Sequence, residues 1–212
     1  LKKNKINIIF PKAKVSMENK ILKDVITIVS GVPRSGTSMM MQMLKAGGME
    51  IVTDGIRKPD EDNPRGYFEL ERVKKLNEDN SWIGECQGKV IKVISAFLFY
   101  LPENYHYKII FMQREMEEIL ASQKVMLKRR GELSESISDE EMARKFSEHL
   151  KQVEEWLRKQ KNMEILYLKY NEVIENPLYF SKIVNEFLGG KLKEKNMAEA
   201  VADSLYRQRK KL

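Results

Sequence analysis

The 212-residue sequence has one cysteine, Cys86, two histidines, His106 and His149, and no apolar run approaching the length of a membrane span. A single thiol excludes an internal disulfide framework and suits a reducing compartment, so a cytoplasmic location is expected. Cys86 and the two histidines lack the close spacing of a ligand set, and no metal site is expected. The start has no signal-peptide apolar region. It opens on Leu1 rather than Met, as a processed product or an excerpt of a longer protein would. No repeat or low-complexity tract is present.

What remains is ordinary globular material, 42% hydrophobic and 33% charged, long enough for one well-buried α/β domain and short for two. The net charge of +7 is unevenly spread. Residues 1–23 hold seven lysines against Glu18, and residues 191–212 seven cations against three acids, which leaves the middle at −3 by subtraction. Excess confined to the two ends reads as solvated basic segments flanking a domain over 24–190. A polyanion-binding role for those ends is the other reading, and no specific nucleic-acid partner is expected.

Along the chain, "DVITIVSG" (24–31), "YKIIFMQ" (107–113) and "MEILYLKY" (163–170) read as buried strands, with "MEIV" (49–52) and "KVIKVIS" (89–95) as further strand candidates. Helices are expected at "SMMMQMLKAGG" (38–48), where Gly47 and Gly48 form the stop, and over 69–83. A third follows the 107–113 strand up to Gly131, a fourth starts at a Ser138–Glu141 capping box, and a fifth spans 177–190. In the fourth, Met142, Phe146, Leu150, Val153 and Leu157 recur at spacings of four and three, a core-facing stripe. Residues 53–68 form a long turn-rich loop of the kind that often carries function. Strands alternating with helices imply a three-layer α/β sandwich around a mostly parallel sheet, similar to P-loop nucleotide-binding proteins.

The first strand runs into Gly31-Val-Pro-Arg-Ser-Gly36-Thr37-Ser38, with the glycine spacing of a Walker A loop. Glycines let the backbone curl its N–H groups inward, and the following helix N-terminus adds partial positive charge, so the loop suits phosphate. The Walker lysine position is Thr37, however, and no strand ends in a magnesium-binding acid. The cation stands upstream, at Arg34. Magnesium-dependent nucleotide hydrolysis is therefore disfavoured, because that lysine supplies the central charge of phosphoryl transfer.

The stretch "PRSGTS" resembles the phosphosulfate loop of the sulfotransferase family, usually P-[KR]-S-G-T-[TS]. A second, distant match supports it. In "IIFMQREMEEILASQ", Arg114 and Ser122 have the spacing of the family's strand-end arginine and helix-borne serine, which hold the 3′-phosphate of 3′-phosphoadenosine 5′-phosphosulfate (PAPS). "LKYNEVIENP" (168–177) is similar to a segment whose tyrosine lies near the adenine, so Tyr170 is either an adenine contact or a strand-end core residue. The resemblance runs from about residue 25 to 190 and implies a PAPS-dependent enzyme. Arg34, Ser35, Gly36, Thr37 and Ser38 would hold the phosphosulfate, and Arg114 and Ser122 the 3′-phosphate. Arg34 would stabilise the leaving group electrostatically, and the product would be adenosine 3′,5′-bisphosphate. Arg207 or Arg209 could also reach the 3′-phosphate, or belong to a solvated tail.

Many cytosolic members have a Lys-x-His in which the histidine is the general base. Here Lys92 matches the lysine and Ile94 stands at the histidine position. His106 is expected in a solvated loop and His149 in a structural role beside the core stripe. Other branches of the family use a carboxylate, and Glu69, after the aromatic pair Tyr67-Phe68, is the candidate; Asp60, Glu61 and Asp62 read as solvated. Glu69 is either a partly desolvated base or a helix N-terminal acid. Lys92 is either an active-site cation or an edge-strand residue. The acceptor would be a hydroxyl or amine of a small molecule or carbohydrate. The rival functions are a P-loop kinase and a non-catalytic nucleotide-binding module.

Overall fold

A computed structural model describes residues 8–9, 24–132 and 138–201. Five strands form one sheet: β1 (Ile8–Ile9), β2 (Val25–Ser30), β3 (Val90–Lys92), β4 (His106–Gln113) and β5 (Met163–Lys169), in the order β1-β5-β4-β2-β3. The pairs β2–β3, β2–β4 and β4–β5 are parallel, and β1 adds an antiparallel edge to β5. Among the described residues six α-helices accompany the sheet: α1 (Thr37–Gly47), α2 (Met116–Arg130), α3 (Asp139–Leu157), α4 (Tyr170–Glu175), α5 (Pro177–Phe187) and α6 (Glu194–Glu199).

Strands β2 to β5 are buried on both faces, so they read as mostly apolar runs rather than as alternating ones. Alternate residues feed two cores. Ile26, Ile28, Ile91, Ile109 and Ile165 meet Val153 and Leu157 of α3, together with Trp82, Leu98 and Cys86. Val29, Val90, Ile110 and Leu166 meet the methionines of α1, Val173 of α4, Val184 of α5 and Met197 of α6. The result is the expected three-layer α/β sandwich.

Helix ends follow the sequence signals. Gly48 and Gly131, both left-handed, close α1 and α2 by donating to carbonyls of the last turn. The Ser138 hydroxyl accepts from the Glu141 N–H at 3.1 Å to start α3, while the Glu141 carboxylate turns to Lys145. On α3, Val153 and Leu157 are buried and Met142, Phe146 and Leu150 are half-buried, a stripe that deepens toward the helix end.

Several expectations are corrected. The helix expected over 69–83 is two 3₁₀ segments, Glu71–Lys75 and Ser81–Cys86. Its Asn and Asp residues compete with helix hydrogen bonding, as Asp79 does by accepting from both the N–H and the hydroxyl of Ser81. The 49–52 strand shrinks to a single bridge, Ile51 with Val90. The 89–95 strand ends at Lys92, and Ser95–Tyr100 is a 3₁₀ turn. His106 opens β4 rather than lying in a loop. Part of the C-terminal segment expected to be solvated is packed: Met197 of α6 is buried and lies where a Gly47 side chain would be, and the Lys193 N–H donates to the Gly47 carbonyl at 3.0 Å. Among the described residues no helix is long and apolar enough to cross a membrane, and no cluster of three metal-ligating side chains is present.

Candidate active site

The loop between β2 and α1 is shaped by two glycines. Gly31 (φ 145°) lies so close to the Ser35 hydroxyl and the Met112 carbonyl that a side chain there would strike both. Gly36 (φ 102°) lies flat against the Tyr170 ring, in the space a Cβ would take. Gly36 is also the N-cap of α1 and offers no side-chain cap, which leaves the first-turn N–H groups of Thr37 and Ser38 for an anion. Arg34, between the glycines, adopts φ 70°, rare for a residue with a side chain, and its carbonyl accepts from Arg114 Nη1 at 3.1 Å. The Ser35 side chain turns inward toward Gly31, the residue is fully buried, and, against expectation, it does not line the cleft.

One cleft of about 390 Å³ gathers the residues that the sequence scattered: Arg34, Gly36, Thr37, Ser38, Arg114, Ser122 and Tyr170 all line it. Arg34 Nε donates to Ser122 Oγ at 2.9 Å and its Nη2 to the Asp62 carbonyl at 3.3 Å. Burial pulls the Arg34 pKa down, against the opposing effects of Tyr67 and Asp62, yet a guanidinium stays charged at neutral pH. Arg114 leaves the end of β4, pairs with the buried carboxylate of Glu118 at 2.9 Å and stacks over the Tyr170 ring at 4.5 Å. Tyr170 is the first residue of α4, wedged between Gly36 and Arg114.

The other half of the cleft is built around Lys92, at the end of β3. Its ammonium donates to the Tyr67 carbonyl and to Ser38 Oγ (3.3 Å) and lies 3.7 Å from Glu69 Oε1. Two hydrogen-bond acceptors and one carboxylate at ion-pair distance thus surround the ammonium. Burial lowers its pKa to about 8, with Glu69 opposing the shift, so the cation persists at neutral pH. Glu69 accepts from Arg57 Nη1 at 2.7 Å, and the Arg57 guanidinium lies 3.3 Å from the centre of the Tyr67 ring. Phe68, between Tyr67 and Glu69, adopts φ 52°, a kink that sends the Tyr67 carbonyl and the Glu69 carboxylate to the same ammonium. Glu69 precedes the 3₁₀ segment and is not a helix N-terminal acid; Lys92 does stand on an edge strand, β3, yet it is only 6% exposed and lines the cleft.

All three acids expected to be solvated are engaged, Glu61 most loosely, at 3.9 Å from Arg129. Asp60 accepts from the Tyr67 hydroxyl at 2.6 Å and from two loop N–H groups. The Asp62 side chain is buried against Arg129 at 2.6 Å. His149 meets the Ser95 hydroxyl at 2.9 Å and packs edge-on to Phe99, outside the cleft lining, in agreement with a structural role. His106 sits at the opposite end of β4 from Arg114. Arg207 and Arg209 lie outside the described residues.

Sequence reading missed Arg57, Tyr67, Arg129 and Arg130, which also line the cleft. Arg129 had a legible signal, since it follows Ser122 by seven positions, two turns along the same face of α2. Arg57 had none, because its partners depend on how an irregular loop folds back. The lining cations Arg34, Arg57, Lys74, Lys92, Arg114, Arg129 and Arg130 far outweigh Asp62 and Glu69, so the cleft suits a ligand with several negative charges.

The fold has solved counterparts. The sulfotransferase domain of a Synechococcus olefin synthase superposes with a TM-score of 0.50 at 13% identity, over 89% of this chain and 81% of that one. A mouse sulfotransferase complexed with PAP gives 0.54 at 17% identity, over 86% of this chain and 64% of its own. The sulfotransferase domain from the curacin biosynthetic pathway gives 0.50 at 12%, over 85% and 78%. No curated protein is significantly similar in sequence. A family model described as a sulfotransferase domain matches residues 24–212. That match extends from β2 through α6, so it concerns the whole domain and not the loop motif alone, and the chain belongs to the sulfotransferase family.

Proposed function

We propose that the protein transfers a sulfuryl group from PAPS to a hydroxyl or amine of a small-molecule or carbohydrate acceptor. The observation that carries this reading is the convergence of Arg34, Arg114, Ser122 and Tyr170 on one cleft at the N-terminus of α1. Residues that fit the donor are present: an uncapped helix start and Arg34 for the 5′ end, Arg114 and Ser122 for the 3′-phosphate, and the Tyr170 ring for the base. The PAP-bound mouse relative has the same fold, which is in keeping with this assignment.

The donor supplies an activated sulfur–oxygen bond. In the transfer, the bond between sulfur and the phosphate oxygen breaks, a sulfur–oxygen or sulfur–nitrogen bond to the acceptor forms, and the phosphate leaves with the electron pair. Arg34 and Lys92 neutralise charge that gathers on the leaving and transferring oxygens. Glu69, a cleft carboxylate beside Lys92, takes the acceptor proton once the acceptor displaces its contact with Arg57. A kinase reading is weaker because Thr37 brings no charge to the loop. The lone buried Cys86 is in keeping with a reducing, cytoplasmic setting.

Calorimetric titration with adenosine 3′,5′-bisphosphate, beside ATP with magnesium, tests the reading on wild type and Ser122→Ala. Preference for the bisphosphate that weakens in the variant supports it. Preference for ATP, or no binding by wild type, overturns it.

A further inference from the structure

Asp62 joins two cations that belong to different parts of the cleft. Its carbonyl accepts from Arg34 Nη2 at 3.3 Å, and its carboxylate accepts from Arg129 Nη1 at 2.6 Å. Arg34 in turn holds Ser122 at 2.9 Å, and Ser122 and Arg129 stand on the same helix. The segment 60–62 is further tied to the end of α2 by Arg130 with Asp60 (3.7 Å) and Arg129 with Glu61 (3.9 Å). Of its three residues, Asp62 lines the cleft, beside Arg34. The Asp62 carboxylate is buried although it lies in a loop, its side chain only 7% exposed.

Arg114 and Arg57 repel Arg34 in this confined space, and Tyr67 and Asp62 oppose that repulsion. A carboxylate so placed does electrostatically what a bound phosphate would do. Phosphate and carboxylate compete for the same guanidinium forks, and phosphate carries more charge and more acceptor oxygens.

We propose that Asp62 is the resident counter-anion of the donor-binding cations, and that a nucleotide phosphate binds by replacing it, with Arg129 then becoming an additional phosphate ligand. This rests on the PAPS reading but goes beyond the loop, Arg114 and Ser122. Affinity for the nucleotide is the difference between two anions contending for one set of cations, so removing the internal one strengthens binding of the other.

The test is titration of adenosine 3′,5′-bisphosphate into wild type, Asp62→Asn, Arg129→Gln and, as a control for net charge, Arg144→Gln on the exposed face of α3, with melting curves for each. Asp62→Asn is expected to tighten binding about three- to tenfold and Arg129→Gln to weaken it by a similar factor. Arg144→Gln, whose partner is Glu148 on the surface, should leave it unchanged. Weaker or unaltered binding by Asp62→Asn would make the segment a clamp or a bystander and overturn the proposal. If that variant does not fold, unaltered or tighter binding by Arg129→Gln overturns it equally. A wild type that fails to bind sinks the donor reading and this inference with it; a wild type that binds, with both variants unaltered, sinks only this inference.

Discussion

The side chains of Arg34 and Ser122, 88 positions apart, meet at 2.9 Å, so the cation of the phosphate loop and the hydroxyl of α2 form one unit. Substituting either end should be felt by the same ligand. Arg34→Ala is expected to weaken adenosine 3′,5′-bisphosphate about 10- to 100-fold and Ser122→Ala about three- to tenfold, the range for charge-assisted hydrogen bonds. Isothermal titration reads both. An Arg34→Ala variant with native affinity would place the anion elsewhere.

Arg114 has a structural duty besides its proposed ligand role. It is the guanidinium beside Glu118, whose side chain is 3% exposed. Arg114→Ala is expected to cost about 3–5 kcal/mol, because a buried charge loses its partner. Arg114→Met combined with Glu118→Leu should cost much less. Denaturant unfolding of the single and double variants distinguishes this from an effect on binding alone; equal losses would show that the pair is not the cause.

Gly36 packs on Tyr170 with φ 102°. Gly36→Ala should destabilise the fold by roughly 2–4 kcal/mol through backbone strain and overlap. Adding Tyr170→Ala should recover the overlap part and leave the strain. A double variant no more stable than Gly36→Ala, by thermal melting, would exclude the ring as the obstacle.

Lys92 sets a pH dependence. Its pKa in the fold, about 8, lies below the ordinary lysine value of 10.5 because the ammonium is buried. Between those values the unfolded chain binds the proton that the folded chain has released, so Lys92 makes stability rise with pH across that window. Activity should move the other way, since the cation is lost: the rate should fall as pH rises through about 8. In Lys92→Arg that basic limb should disappear, and an unchanged limb would assign it to another group.

Glu69 is the test of chemistry as distinct from binding. Glu69→Gln should lower turnover by about 10²–10⁴, the usual worth of a general base. Bisphosphate affinity should stay within about threefold, because Glu69 lies with Lys92 and Arg57, away from Arg114 and Ser122. Full turnover in the variant would transfer the proton to some other acceptor.

The central strands and their helices were readable because β2, β4 and β5 are apolar runs and α1 and α2 end at glycines, signals that survive without context. The stretch 69–83 misled because its apolar spacing favours a helix while Asp79 and Ser81 bring their own local hydrogen bonds. At the site, the loop, Arg114 and Ser122 were visible as spaced residue types. The inward turn of Ser35 and the Arg129–Asp62 pair were not, since burial direction and a contact spanning 67 positions have no local signature. The engagement of Asp60 and Asp62 shows the same limit: an acid in a turn-rich loop looks solvated until the loop's partner is known.

The buried Cys86 has a practical corollary. Its thiol is 1% exposed and its pKa is pushed up to about 11 by burial, so it presents neither thiolate nor access to an alkylating reagent. A cysteine engineered onto the 60–62 segment would therefore carry a fluorophore alone, with the native residue left in place. The slow labelling of Cys86 itself would report how often the core opens.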